Sequence, residues 1–288
     1  MTPVIFDRRL LARRRARALA ERRPGADFLL ALAADDLADR LAAVNRRFER
    51  ALVVGDPTGL LSAHVAGRAD QVLCADLLVP GADGDVVIDD EALPFAGGAF
   101  DLVVSALTLQ FANDLPGALI EARRVLRPDG LFLGVLAGGD TLTELRQAFL
   151  VAESRRSGGV SPRVAPMAEV RDLGGLMQRA GFALPVADQD RLTLRYDNAL
   201  GLMDELKAMG AAGFLADRRP GLTGPALIAE MAALYQEMFG DPDGRVRATL
   251  TLISLSGWAP HDSQQKPLRP GSASVRLADA LKAGREGG

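Results

Sequence analysis

The spacing of apolar and polar positions changes character along the chain. Leu10, Leu11, Ala18 and Leu19 form an apolar stripe with Arg13, Arg14, Arg17 and Arg22 largely off it, the pattern of an amphipathic helix. Phe28, Leu29, Leu32, Leu37, Leu41 and Val44 recur in near-helical phase and predict a second helix over Asp27–Val44. From Ala51 onward the apolar residues come instead in short continuous runs: Ala51–Gly55, Gln71–Asp76, Val86–Asp89, Phe100–Ser105 and Leu131–Leu136. Continuous rather than alternating apolarity marks strands buried on both faces. With helical stretches between them, such as Pro116–Leu126, the runs read as a β-α-β series and a doubly wound parallel sheet. Past residue 140 the chain predicts helix over Thr141–Ser154, a Gly/Ser/Pro loop over Ser157–Pro166, helix over Ala168–Arg179, a strand near Arg191–Tyr196, two further helices and a last strand near Ala248–Ser256. The tail after Trp258, with Pro260, Pro267 and Pro270, is expected to be extended and to pack back on the body. No repeat, linker or low-complexity block interrupts this order. We expect residues 1–48 to form an N-terminal helical extension and residues 49–288 one α/β domain with an elaborated C-terminal half.

Composition narrows the class. The chain has 288 residues, 48% hydrophobic and 25% charged, ordinary for a globular protein. One cysteine, Cys74, excludes an intramolecular disulfide framework, and with only His64 and His261 a Cys/His zinc site or a two-His-one-carboxylate iron site is not expected. No apolar run reaches membrane-spanning length and the N-terminus lacks a secretory apolar stretch, so the expected location is cytoplasmic.

Charge is distributed unevenly. Residues 1–23 hold eight Arg against Asp7 and Glu21, a balance of +6, which leaves −9 in the remainder of a chain of net charge −3. The basic start can be a transit-like presequence, a nucleic-acid arm or a domain helix. Helical spacing and the lack of stacking aromatics favour a domain or partner-docking helix over nucleic-acid binding. From Asp70 to Glu121 there are ten acids and no Lys or Arg. That stretch holds the strand ends where open α/β sheets bind ligands, so a cationic ligand is expected over an anionic dinucleotide.

The residues after those strands are the candidate site. Asp76 ends the second run, where a carboxylate meets a ribose diol; Asp89 and Asp90 end the third, where an acid meets an adenine edge; Ser105 ends the fourth. The first loop, Gly55-Asp56-Pro57-Thr58-Gly59, is not the tight G-x-G-x-x-G turn of a pyrophosphate site. Asp140 or Thr141 is expected to cap the next helix, with Glu144 as its capping-box acid. No catalytic residue stands out.

The array Val53-Val-Gly55, Asp76, Asp89-Asp-Glu-Ala-Leu-Pro-Phe95, Phe100-Asp-Leu-Val-Val-Ser105 and Leu126-Arg-Pro-Asp-Gly130 resembles the class I S-adenosylmethionine-dependent methyltransferases. One branch matches more closely, through Ile5-Phe-Asp7, Asn113-Asp-Leu-Pro116, Gly138-Gly-Asp-Thr-Leu142 with Glu144-Leu-Arg146, Gly158-Gly159 with Ser161-Pro162, Arg179-Ala-Gly-Phe182, and Gly257-Trp258 with His261 and Ser263-Gln264. These segments resemble the respiratory complex I assembly factors of methyltransferase fold, whose mitochondrial member is regarded as a protein-arginine hydroxylase. The resemblance implies a mostly parallel seven-stranded, Rossmann-like sheet with extra N- and C-terminal helices. It also implies S-adenosylmethionine as cofactor, held by Gly55, Asp56, Asp76, Asp89, Asp90 and Ser105, and a protein substrate, a complex I subunit modified at arginine.

The first motif departs from the superfamily pattern, which has an acid at the position of Val53 and a second glycine at that of Pro57. Both changes weaken the expected cofactor site. Asp56 is the candidate substitute acid, though spacing does not fix its direction. The rivals are a methyltransferase for a small molecule or acyl-carrier substrate, and a non-catalytic assembly chaperone.

Overall fold

A computed structural model describes residues 4–77, 86–157, 159–219 and 221–264. Two helices, α1 (Arg8–Glu21) and α2 (Phe28–Ala42), precede an alternating series: β1 (Phe48–Val54), α3 (Leu60–Ala66), β2 (Ala69–Asp76), β3 (Val86–Val87), β4 (Phe100–Ala106), α4 (Leu115–Val125) and β5 (Leu126–Gly138). The C-terminal half adds α5 (Thr143–Ser157), α6 (Val170–Arg179), β6 (Ala183–Tyr196), α7 (Ala199–Ala208), α8 (Pro225–Phe239) and β7 (Val246–Trp258). The strands form one seven-stranded sheet in the order β3-β2-β1-β4-β5-β7-β6. Pairs from β3 to β5 are parallel, whereas β7 runs antiparallel to both β5 and β6.

Each central strand is apolar on both faces because helices cover both. Leu52 and Val54 of β1 pack with Phe132, Leu119 of α4 and Leu173 of α6 on one side. Ala51 and Val53 point the opposite way and pack with Leu37 and Leu41 of α2 and Leu61 of α3, as the two-residue strand period requires. Fully burying one such aliphatic side chain is worth about 1.5–3 kcal/mol. A third cluster joins α5, α7 and α8 to the start of β7 through Ala148, Leu202, Tyr235 and Ala248. A fourth, of Phe6, Leu11, Phe214 and Leu215, holds α1 to the body.

The structure moves several expected boundaries. Strand β6 starts at Ala183 rather than near Arg191. Its first half is an edge carrying Asp188, Gln189 and Asp190, and Pro185 sits at a register shift between Ala183 and Val186, which is where an edge strand tolerates proline. Helix α5 starts at Thr143, and the Thr141 hydroxyl is used elsewhere, donating to Gly138 O at 2.7 Å and accepting from Thr251 N at 2.9 Å. Glu144 is no capping-box acid: it is buried and accepts from Thr249 N at 3.0 Å and Thr249 Oγ1 at 2.6 Å, fastening α5 to β7. The partner lies 105 residues away, outside the reach of local spacing. The expected tail lies mostly outside the described residues. Its beginning packs back, with Ala259 N donating to Gly130 O at 2.8 Å and Gln264 Nε2 to Asp129 Oδ1 at 3.0 Å.

Candidate functional site

The carboxyl ends of β1, β2, β3 and β4 converge where the sheet order reverses between β1 and β4, the position at which doubly wound sheets bind ligands. The site has two ends, divided between the β2–β3 strand ends and the loop after β1.

At the β2–β3 end the expected acids are already engaged by the chain's own arginines. Arg8 of α1 donates to Asp90 and Glu91 and lies 3.2 Å from Asp89. Arg15, two turns on, reaches to 3.9 Å from Asp76. Leu11 stands between them on the same helix face and is 0% exposed. The space bounded by Arg8, Leu11, Arg15, Val54, Leu77, Ile88, Asp90, Thr108 and Phe111 is only about 10 Å³, room for one water at most. Burial pushes the Asp90 carboxyl above its ordinary pKa, with Asp89 and Glu91 adding to the rise and Arg8 opposing it.

The reach of α1 is fixed by its start. Asp7 caps the helix by accepting from Leu10 N at 3.0 Å. Asn113 Oδ1 accepts from Ile5 N and Phe6 N, each at 2.8 Å. The segments Ile5-Phe-Asp7 and Asn113-Asp-Leu-Pro116 thus meet as one fastener. Sequence reasoning missed Arg8, Arg15 and Asn113. A signal was present for the arginines: positions 8, 11 and 15 share one helix face, but the apolar stripe drew attention to the neighbouring one.

The acidic stretch is therefore not a free negative field, and its acid count alone does not select a cationic ligand. Besides the acids met by α1, Asp101 accepts from Glu49 N and Arg50 N at 2.8 Å each, Asp114 caps α4 through Gly117 N at 2.9 Å, Glu121 pairs with Arg124 at 2.7 Å and Asp70 with Arg47 at 2.7 Å. The arginines lie outside the counted window but fold onto it.

The β1 end is open. The loop Gly55–Gly59 forms one wall of a cavity of about 1590 Å³ that extends toward α2, α5 and α7. Arg15 and Phe111 line both this cavity and the small residual space, so they partition the two ends. Gly55 has φ +87°, and an added Cβ would stand 2.3 Å from Ala106 O and 2.4 Å from Thr108 Cγ2. Its glycine serves close packing on the end of β4. Ser105 is likewise used internally, its hydroxyl 3.0 Å from that of Thr108. Asp56, 7% exposed, lines the cavity; its Oδ2 accepts from Ser62 N at 2.6 Å. Seven arginines line this cavity against Asp27 and Asp56. Arg163 is answered by Glu153 at 2.6 Å and Arg218 by Asp7 at 3.4 Å, whereas burial and then the charge of Arg218 hold the Arg14 guanidinium below its ordinary pKa.

Residues 52–134 match the family model described as a methyltransferase domain. A mouse relative, "Arginine-hydroxylase NDUFAF5, mitochondrial", is 38% identical over 96% of this chain and 84% of its own length. The chain belongs to the NDUFAF5 arginine-hydroxylase family. The human member is 36% identical over the same shares. Outside that family, a malonyl-[acyl-carrier protein] O-methyltransferase of Gallionella capsiferriformans is 36% identical over 68% of this chain and 64% of its own length. Among solved structures, a putative methyltransferase of Bacillus halodurans superposes with a TM-score of 0.55 at 18% identity, covering 79% of this chain and all of the other; it shows the shared fold. Among the described residues no helix is long and apolar enough to cross a membrane, and no group of three or more His, Cys, Asp or Glu is arranged to hold a metal ion. His64 lies 3.9 Å from Asp35, and His261 lies against Ser263.

A methyl donor bearing a nucleoside and an amino-acid arm fits the two ends unequally. The amino-acid arm fits the β1 end, where a buried carboxylate faces a roomy cavity. The nucleoside does not fit the β2–β3 end in this conformation, because Leu11 fills it and Arg8 and Arg15 engage its acids.

Proposed function

We propose that this protein modifies a protein substrate at an arginine side chain, and that the substrate is a subunit of a respiratory NADH dehydrogenase under assembly. The observation that carries this reading is the 36–38% identity to arginine-hydroxylases over 96% of the chain. S-adenosylmethionine is the cofactor we infer from the methyltransferase domain; when bound it supplies an electrophilic methyl group or a bound nucleoside scaffold. Of the candidate residues, Gly55 and Ser105 hold the strand ends in place and Asp56 is the acid we assign to ligand contact, while Asp76, Asp89 and Asp90 are engaged by α1 and would meet a nucleoside only if α1 moved. A cytoplasmic setting accords with the single-cysteine composition. Deleting the gene and mapping arginine masses on the NADH dehydrogenase subunits tests the proposal. We expect one arginine to lose a methyl or hydroxyl increment and assembly to falter. Unchanged masses and normal assembly would overturn it.

A second reading has its own support. The arginine-rich cavity wall and the carrier-protein methyltransferase relative both favour a carboxylate on an acyl carrier as methyl acceptor. Incubation with labelled methyl donor and cell extract separates the two: label in a carrier-bound acyl ester selects this reading, label in a subunit arginine the first. Calorimetry that shows no donor binding at millimolar concentration selects the assembly chaperone.

A further inference from the structure

Two arginines converge where α1 meets the segment after α7. Arg14 Nη1 donates to Ala212 O, and Arg218 Nη1 donates to Leu215 O at 2.9 Å. The two guanidiniums thus hold carbonyls of one short segment, and both line the large cavity. A single carboxylate, Asp7, acts on the two of them: its Oδ2 lies 3.4 Å from Arg218 and its charge reaches Arg14, while its Oδ1 is spent on capping α1 through Leu10 N. Like charges so placed repel, and a nearby anion relieves both. A guanidinium carries a fork of N–H donors. Among the described residues each arginine spends only its Nη1, and the other nitrogens are not sealed in the interior. Behind the pair the wall turns apolar. Helix α7 leads there from α1, since a Cβ added at Gly210, just past its end, would stand 2.7 Å from Arg15 Cα. Met203 and Leu206 of α7, Leu145 and Phe149 of α5 and Ile228 of α8 line the cavity beyond. Its volume of about 1590 Å³ exceeds the roughly 300–1,000 Å³ usual for one small ligand.

We propose that Arg14 and Arg218 together form a subsite for the oxyanion head, carboxylate or phosphate, of a ligand whose apolar chain lies along α5, α7 and α8. The unspent N–H groups of both forks make charge-assisted bonds to the head, and its charge answers the second guanidinium that Asp7 leaves over. The subsite goes beyond the proposed reaction and does not rest on it, because the head is an anchor and not the group modified. Arg14 is carried by α1, so an anion shared with Arg218 also ties that helix to the body.

The test titrates the full-length chain with decanoate, decyl phosphate and decanol, which share a tail and differ in the head. Native protein should bind one charged member about tenfold or more tightly than decanol. The tighter of decanoate and decyl phosphate tells a carboxylate head from a phosphate head. The six-carbon compound with that head should bind about tenfold or more weakly, since each buried methylene counts several-fold. Arg14→Gln and Arg218→Gln each keep an N–H for the segment's carbonyl, and thermal melts check that each folds. Each should weaken the charged member about tenfold while decanol changes less than about twofold. Arg156→Gln, on α5 and outside the cavity wall, removes a pairing with Glu230 and should leave every affinity unchanged. The bound anion should also slow hydrogen exchange across α1. Equal binding of decanol, no gain from the longer tail, an unchanged charged affinity in either cavity variant, an equal loss in Arg156→Gln, no slowing in α1, or no binding of either charged member would overturn the proposal.

Discussion

The two ends of the site sit on the same row of strand ends and solve the problem of buried charge in opposite ways. At the β2–β3 end each acid among the described residues has a cation: Arg8 for Asp89, Asp90 and Glu91, and Arg15 for Asp76. Leu11 closes the gap between them. At the β1 end an acid as buried as Asp56 keeps an oxygen unpaired beside a cavity of about 1590 Å³. The difference teaches that acid count along a sequence says little about ligand charge. What matters is which acids the remaining chain has already answered.

Four substitutions would break or sharpen this contrast. Gly55→Ala should be the most damaging. It forces φ +87° on an L-residue and drives a methyl into the Ala106 carbonyl, together on the order of 2–6 kcal/mol. A melt shifted only slightly would mean that the β1 loop is pliant and not fixed. Leu11→Ala removes a fully buried side chain at about 3 kcal/mol. Hydrogen exchange should then rise across α1, and 5′-methylthioadenosine should bind more tightly as the β2–β3 end opens; weaker binding would make α1 a wall of the nucleoside site instead of its plug. Arg8→Ala leaves three neighbouring carboxylates facing one another and should cost about 1–3 kcal/mol, with exchange rising at the N-terminal turn of α1 before its C-terminal turn. Arg15→Ala loses a long, 3.9 Å pairing with Asp76, worth on the order of 1 kcal/mol. Its informative readout is nucleoside affinity, because the Arg15 side chain divides the two ends; no change there would remove it from the partition.

Much of the fold was legible because the central strands have no polar face. The runs Ala51–Gly55, Gln71–Asp76 and Phe100–Ser105 have their ends within three residues of those of β1, β2 and β4. The edge strand β6 was half missed, since Asp188, Gln189 and Asp190 face solvent or α2 and leave no continuous apolar signal. At the site, Asp76, Asp89 and Asp90 do stand at strand ends. Their partners were illegible because the pairs with Arg8 span more than 80 positions and depend on how α1 docks. Glu144 failed for the same reason: its local spacing satisfied a capping rule, and a distant threonine claimed it.

The place of β7 bears on how the molecule is made. It lies between β5 and β6, pairing Leu131 with Trp258 on one side and Tyr196 with Val246 on the other. On a ribosome, β5 and β6 are therefore finished long before the strand that joins them has emerged. Until then the apolar β5 is the rim of a growing sheet, open to any stray strand. A nascent chain halted before Val246 would hold a folded N-terminal half with one raw border, and its tendency to aggregate would subside only once synthesis passed Trp258.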